Sequence, residues 1–235
     1  MQNTSPIDAR LALANPACEE WEKLQALLKT VRYNGQSASH VFALVLATNS
    51  YEIACAMLKL WEVGAEGGQL PLLRALLESS SRFAYLARAP KENSLKLELV
   101  DIQEALKALG RTQADGDSPK KMERRIRLLS REDELAKQSV KHAPSIYDVV
   151  REVGSPELYD VYRILSGHAH AQWSALSQRT VQKNEHGSYV TANSLLDDMT
   201  VEFLWEAVTT LLAAIRYDFD KFQFESNARP DVSPS

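Results

Sequence analysis

From Ala17 to Phe222 the apolar residues of this chain return at three- and four-residue steps, and no alternating apolar/polar pattern dominates any region. Such a rhythm buries one stripe of a helix, not one face of a strand, so the chain must cover its apolar surface by packing helix on helix. Proline and glycine cut the rhythm into helix-sized lengths. The expected architecture is all-α, a multi-helix bundle, with one hairpin-like excursion or long loop near residues 179–191, where the sequence turns polar around Glu185-His186-Gly187-Ser188.

The spacing predicts a first helix over 17–33, opened by Asn15-Pro16 and closed by Asn34-Gly35, with Trp21, Leu24, Leu27, Leu28 and Val31 on one face. Ser37 or Ser39 can cap a second, more apolar helix running through Val41 to Trp61, whose few polar residues place it near the middle of the bundle. Pro71 sits in the first turn of a third helix reaching Arg88, and Pro90 stops it. A fourth helix is expected over 94–109. The polar loop from Gly110 to Pro119 is the best place for mobility, and a very basic helix follows, with Lys120, Lys121, Arg124, Arg125, Arg127 and Arg131. A short helix begins at Pro144 and closes at Gly154, the next starts at Ser155-Pro156-Glu157, and the last spans 195–222. Residues 1–226 read as one helical domain, and 227–235 as a disordered tail.

Several function classes are disfavoured by what the chain lacks. Cys18 and Cys55 have no metal-type spacing and read as small hydrophobes, and no metal or cofactor is expected. The N-terminus has neither a basic start nor an apolar core, so it does not read as a secretory signal. No window approaches 18 uninterrupted apolar residues, so no membrane association is expected and the location reads as cytoplasmic. A formal net charge of -4 argues against broad non-specific nucleic-acid binding, though a local basic surface is not visible in that sum. Glu123, Glu132, Asp133 and Glu134 interleave with or follow the basic run, which points to a solvated helix with local ion pairs. The four tryptophans are spaced as core or interface anchors.

Chemistry is concentrated between Tyr159 and His170. On a continuous helix, residues seven apart differ by about 20° around the axis, so Arg163 and His170 share a face with Ser166 between them, while His168 points about 140° from Arg163. A break at Gly167 would bring both histidines to one site. A neutral imidazole can move a proton near neutral pH, and a permanently charged guanidinium can hold a phosphate in a fork of donors. Together they suit phosphodiester cleavage without a metal. His170, with His168 as second choice, would act as acid or base, and Arg163 would stabilise charge on the phosphorus oxygens. Tyr162 and Ser166 are supporting donors. Upstream, Arg74 and Glu78 stand four apart on a helix; they form either an ordinary helical ion pair or a polar row facing the Arg163 row, with Glu78 orienting a histidine.

The Arg163-to-His168 and Arg163-to-His170 spacings resemble the arginine, four-to-six residues, histidine pattern of the HEPN superfamily, helical bundles that include metal-independent ribonucleases of toxin and defence systems. The phrase from Tyr162 to His170, with Arg74-Ala75-Leu76-Leu77-Glu78 upstream, also resembles a signature of a poorly characterised group of bacterial all-helical proteins. The chain has Ile164 where the superfamily's nucleases usually carry a polar residue. The resemblance implies action on RNA, a homodimer with the site near its interface, and a protein partner such as an antitoxin. The competing expectation is a non-catalytic interaction module in which the same residues form a buried polar network that fixes helix register.

Overall fold

The computed structural model describes residues 6–32, 37–110, 117–154, 156–169, 181–184, 187–190, 196–222 and 224–226. Among them the helices are α1 (Pro6–Ala12), α2 (Asn15–Thr30), α3 (Ala38–Glu62), α4 (Gln69–Arg88), α5 (Pro90–Leu109), α6 (Pro119–Lys137), α7 (Ile146–Val153), α8 (Pro156–Ala169) and α9 (Asp198–Phe219). The protein is an all-α helical bundle. Two short antiparallel pairs accompany the helices. β1 (Val31–Arg32) pairs with β4 (Glu225–Ser226), and β2 (Val181–Asn184) pairs with β3 (Gly187–Val190) in the hairpin expected near 179–191.

Local chemistry sets most helix ends. The hydroxyls of Ser37 and Ser118 and the carboxylate of Asp197 accept from the N–H three residues on, each satisfying a donor that the first helical turn leaves open. Ser145 and Asp148 form a reciprocal capping box at α7. The Ser145 hydroxyl, and then its N–H, hold the Asp148 carboxyl below the usual carboxylate range.

Three expectations need correcting. Pro90 does not merely stop a helix; it opens α5 at its first position, where a missing N–H costs nothing, so α5 begins before Ser94. The N-terminal helix α1 was not expected from the pattern. The middle of the bundle is α4, which packs against α3, α5, α7, α8 and α9, whereas Val45 of α3 is 59% exposed. Ser79, Ser80 and Ser81 explain the central place of α4: all three are buried and small enough for close helix approach. Ser79 Oγ donates to the Leu46 carbonyl and accepts from Ser50 Oγ, and Ser80 Oγ donates to the Leu77 carbonyl, so both of these buried hydroxyls are bonded. Helix α3 is also long and apolar enough to cross a membrane by length and composition alone, although it holds no run of 18 uninterrupted apolar residues. In the bundle it packs on α2, α4, α5 and α9.

The main core joins α2, α3, α4, α8 and α9. Phe83 stacks with Phe219, Trp61 meets Trp205 edge to face, and each fully buried side chain of this size contributes about 1.5–3 kcal/mol. Leu99, Ile102, Leu106 and Leu135 make a second, smaller core between α5 and α6. The connection between those helices is tied at both ends: the buried Arg125 donates to the carbonyls of Leu109 and Gly110 and to Asp117. Residues 111–116 of the expected mobile loop, and the tail 227–235, lie outside the described residues.

Glu20 on α2 reaches Arg216 on α9 at 3.0 Å and Lys23 at 2.7 Å. The Lys23 bond chiefly, with Arg216 beside it and burial opposing both, holds the Glu20 carboxyl below its ordinary range. A depressed carboxylate adds stability above its unfolded pKa and loses it as pH falls through the folded value. Glu20→Gln is therefore expected to cost about 1 kcal/mol near neutral pH and nothing once both states are protonated. Urea titrations at a series of acid pH values check this; a cost that persists at the acid end rejects it.

Candidate functional site

Helix α8 carries the candidate residues and lies on α4. Its apolar face, through Leu158, Val161 and Leu165, lines a groove with Leu73, Leu77 and Phe203 from α4 and α9. At 100° per residue that face is about 140–160° from Arg163, so the groove lies on the other side of the helix from the candidate cation. The helix continues through Gly167 to Ala169, without the break that would have swung the histidines together.

Arg74 is the centre of the polar contact between α4 and α8. Its Nε donates to Ser166 Oγ at 2.9 Å, one terminal nitrogen donates to Tyr162 Oη at 2.8 Å, and the guanidinium carbon lies 5.1 Å from the Tyr162 ring centre. Ser166 Oγ in turn donates to the Tyr162 carbonyl one turn back, at 2.9 Å. The single Ser166 proton is thus already used, so this hydroxyl positions Arg74 and has no proton left for a substrate. Tyr162 is 8% exposed, and its ring is part of the core.

Glu78 lies 2.9 Å from Arg82 and 3.9 Å from Arg74, extending the polar row along α4. Both earlier readings of this pair hold in part. Arg74 does face α8, but it meets Tyr162 and Ser166 and not Arg163, while the closest partner of Glu78 is the cation on its own helix. Arg163 diverges from Ser166 by about 60° around the axis. It is exposed and makes no hydrogen bond or ion pair to a described residue. Ile164 beside it is also exposed. The side chain of His168, and His170 altogether, lie outside the described residues.

An aromatic row missed in the sequence adjoins these residues. Tyr162 stacks on Tyr159 with ring centres 6.1 Å apart, and Tyr159 meets Tyr147 of α7 edge to face at 4.6 Å. The Arg151 guanidinium lies 5.4 Å from the Tyr147 ring centre. Gly154 lets α7 and α8 approach this closely, since a Cβ there would meet Leu158 Cδ2 at 2.7 Å and the Val150 carbonyl oxygen at 3.2 Å. The three-residue step from Tyr159 to Tyr162 and the four-residue step from Tyr147 to Arg151 were visible, but nothing local says that α7 folds back on α8.

The basic helix α6 divides in two. Lys121 and Arg125 pair with Asp117, and Arg131 pairs with Glu98 and Glu134. Lys120, Arg124 and Arg127 are exposed. Local ion pairs therefore account for half of the run. Cys18 and Cys55 are free and partly buried, and His40 packs on Phe224 with ring centres 4.8 Å apart.

Residues 40–188, more than half of the chain, match a family described as a family of unknown function (DUF5677), and the chain belongs to it. The match runs from α3 to the β2–β3 hairpin and includes every candidate residue named above. No curated protein and no solved structure matches the chain.

Proposed function

We propose that this member of a family of unknown function is an HEPN-like protein acting on RNA, a metal-independent endoribonuclease of the toxin or defence type that works in the cytoplasm. The observation that carries the reading is the contrast between two arginines. Arg74 is spent on Tyr162 and Ser166, whereas Arg163, on the helix that Arg74 holds in place, keeps its guanidinium in solvent with no partner among the described residues. A permanent charge that no described residue engages is available to a phosphate.

In this reading Arg163 binds the scissile phosphate and stabilises the charge that builds on its oxygens. His170, or His168, takes the proton of the ribose 2′-hydroxyl or returns one to the leaving oxygen. Tyr162, Ser166, Arg74 and Glu78 are positioning residues that fix the face α8 presents. A homodimer and a masking protein such as an antitoxin belong to the same proposal. The second reading, a non-catalytic interaction module, is favoured by the same Arg74 network, because such a network fixes helix register whether or not chemistry follows.

The test incubates the purified chain with total RNA in chelator, beside Arg163→Ala and His170→Ala. Cleavage by the parent that falls about 100- to 1000-fold in Arg163→Ala is the expected result. No cleavage by any of the three, or equal cleavage by all, removes the nuclease and leaves the module.

A further inference from the structure

We propose that the exposed ring of Tyr147, buttressed by Tyr159 and flanked by Arg151, is a seat on which one nucleobase of a single-stranded RNA stacks while an adjoining phosphate reaches Arg163. The inference deepens the RNA reading above and rests on it.

Tyr147 is 42% exposed, and its hydroxyl takes no partner among the described residues. It is therefore a large aromatic surface left partly in water, although an aliphatic residue would cover Tyr159 as well. Its orientation is nonetheless fixed. The capping box holds the first turn of α7, the close approach at Gly154 sets α7 on α8, and Tyr159 meets the ring at 73° between planes. A ring held in place loses little freedom when a base lands on it, which is what makes a good stacking platform.

The charges nearby fit the same partner. Arg151 is 64% exposed, and its one ion pair among the described residues is a long 3.8 Å contact with Asp148 Oδ1, while Asp148 Oδ2 serves the Ser145 cap. Arg151 already lies over the Tyr147 ring at 5.4 Å, and its exposed side chain can swing off that ring to lie over a base stacked there, exchanging one cation–π contact for another. Arg163 stands one turn beyond Tyr159 on the same face of α8, about 6 Å along the axis, and Tyr159 in turn meets Tyr147 at 4.6 Å between ring centres, so the stacking ring and the cation both neighbour Tyr159. The exposed acids adjacent in sequence to this row, Glu152 beside Arg151 and Asp160 beside Tyr159, are each turned about 100° from that neighbour, and Asp148 beside Tyr147 is engaged by the Ser145 cap. An aromatic face with guanidinium groups on either side suits a nucleotide better than an acidic peptide, which would use the cations and leave the ring idle.

The experiment measures binding of a short, fluorescently labelled, 2′-O-methylated single-stranded RNA to the full chain, so that cleavage cannot intervene. Tyr147→Ala is expected to bind about 10-fold more weakly, and Tyr147→Trp and Tyr147→Phe to retain binding, because stacking needs the ring and not the hydroxyl. A set of oligonucleotides lacking one base at each position in turn supplies the specific readout. One missing base should cost the parent about 10-fold and cost Tyr147→Ala nothing further. Circular dichroism confirms that the variants fold.

Parent-like binding by Tyr147→Ala, or an unchanged dependence on the missing base, overturns the seat even if Arg163-dependent cleavage stands. Base-dependent binding with no cleavage leaves the seat and removes the nuclease. A parent chain that binds no RNA, or is displaced from it only by acidic peptide with no base dependence, overturns the seat outright.

Discussion

Glu66→Ala is expected to destabilise the protein by about 3–4 kcal/mol, because it removes the acceptor on which two distant parts of the chain converge. Glu66 sits in the turn between α3 and α4, with its side chain 6% exposed. Its two oxygens take bonds from Arg10 Nε at 3.2 Å and Arg10 Nη2 at 3.0 Å, and one of them also takes the Leu196 N–H at 2.7 Å. Arg10 continues to the Leu196 carbonyl at 2.6 Å and to the Asp198 carboxylate, with its guanidinium 5.8 Å from the Trp61 ring centre. Alanine would leave a buried N–H with no partner and part of the Arg10 charge uncompensated, and each of these costs more than the bond it replaces. Glu66→Gln keeps an acceptor for Leu196 and should lose about half as much. Urea unfolding of the three proteins checks the order; a Glu66→Ala variant within about 0.5 kcal/mol of the parent would refute the account.

Asp117→Ala should cost about 3–5 kcal/mol, and here a paired substitution separates the causes. Asp117 and Arg125 are 4% and 5% exposed, with 2.6 Å between them, and Lys121 lies 2.6 Å from the other Asp117 oxygen. Removing the carboxylate leaves the Arg125 charge buried with, among the described residues, only the Leu109 and Gly110 carbonyls. Removing both charges does not. The double variant Asp117→Leu with Arg125→Met is expected to be more stable than Asp117→Ala alone, since two apolar side chains incur no desolvation of charge. Hydrogen exchange should place the loss in α5 and α6, whose own small core depends on the connection staying closed. Uniform loss across all helices would contradict that.

The helices were legible because their signals are local. The Ser37 and Ser118 caps and the Ser155-Pro156 start act over three or four residues, and the boundaries they set fell close to where the sequence placed them. Two of the misses show the limit of such signals. Pro90 is a stop for one helix and a start for the next, and only the geometry after Ala89 decides between them. Helix α3 is apolar nearly all round, which reads as central, yet the small serines of α4 let more helices crowd that neighbour instead.

The candidate site was half legible. Tyr162 and Ser166 four apart, and Arg74 on an apolar helix, could be singled out as residues. That the arginine would spend itself on those two hydroxyls while Arg163 took no partner among the described residues depends on how α4 and α8 are rotated against each other, 88 and 92 residues apart in the chain. The tyrosine row carried no local mark beyond its spacing.

The sequence by itself determined that this chain is helical, where most helices begin and end, and which stripe of each must be covered, because caps, prolines and a 3.6-residue period act within a turn or two. Only the tertiary structure decided which helix covers which stripe, that Glu66 gathers Arg10 and Leu196, and that Arg74 is the arginine bonded to Tyr162 and Ser166. An apolar stripe asks only to be removed from water and is indifferent to its partner, whereas a hydrogen bond or ion pair exists only once that choice has brought its two atoms together.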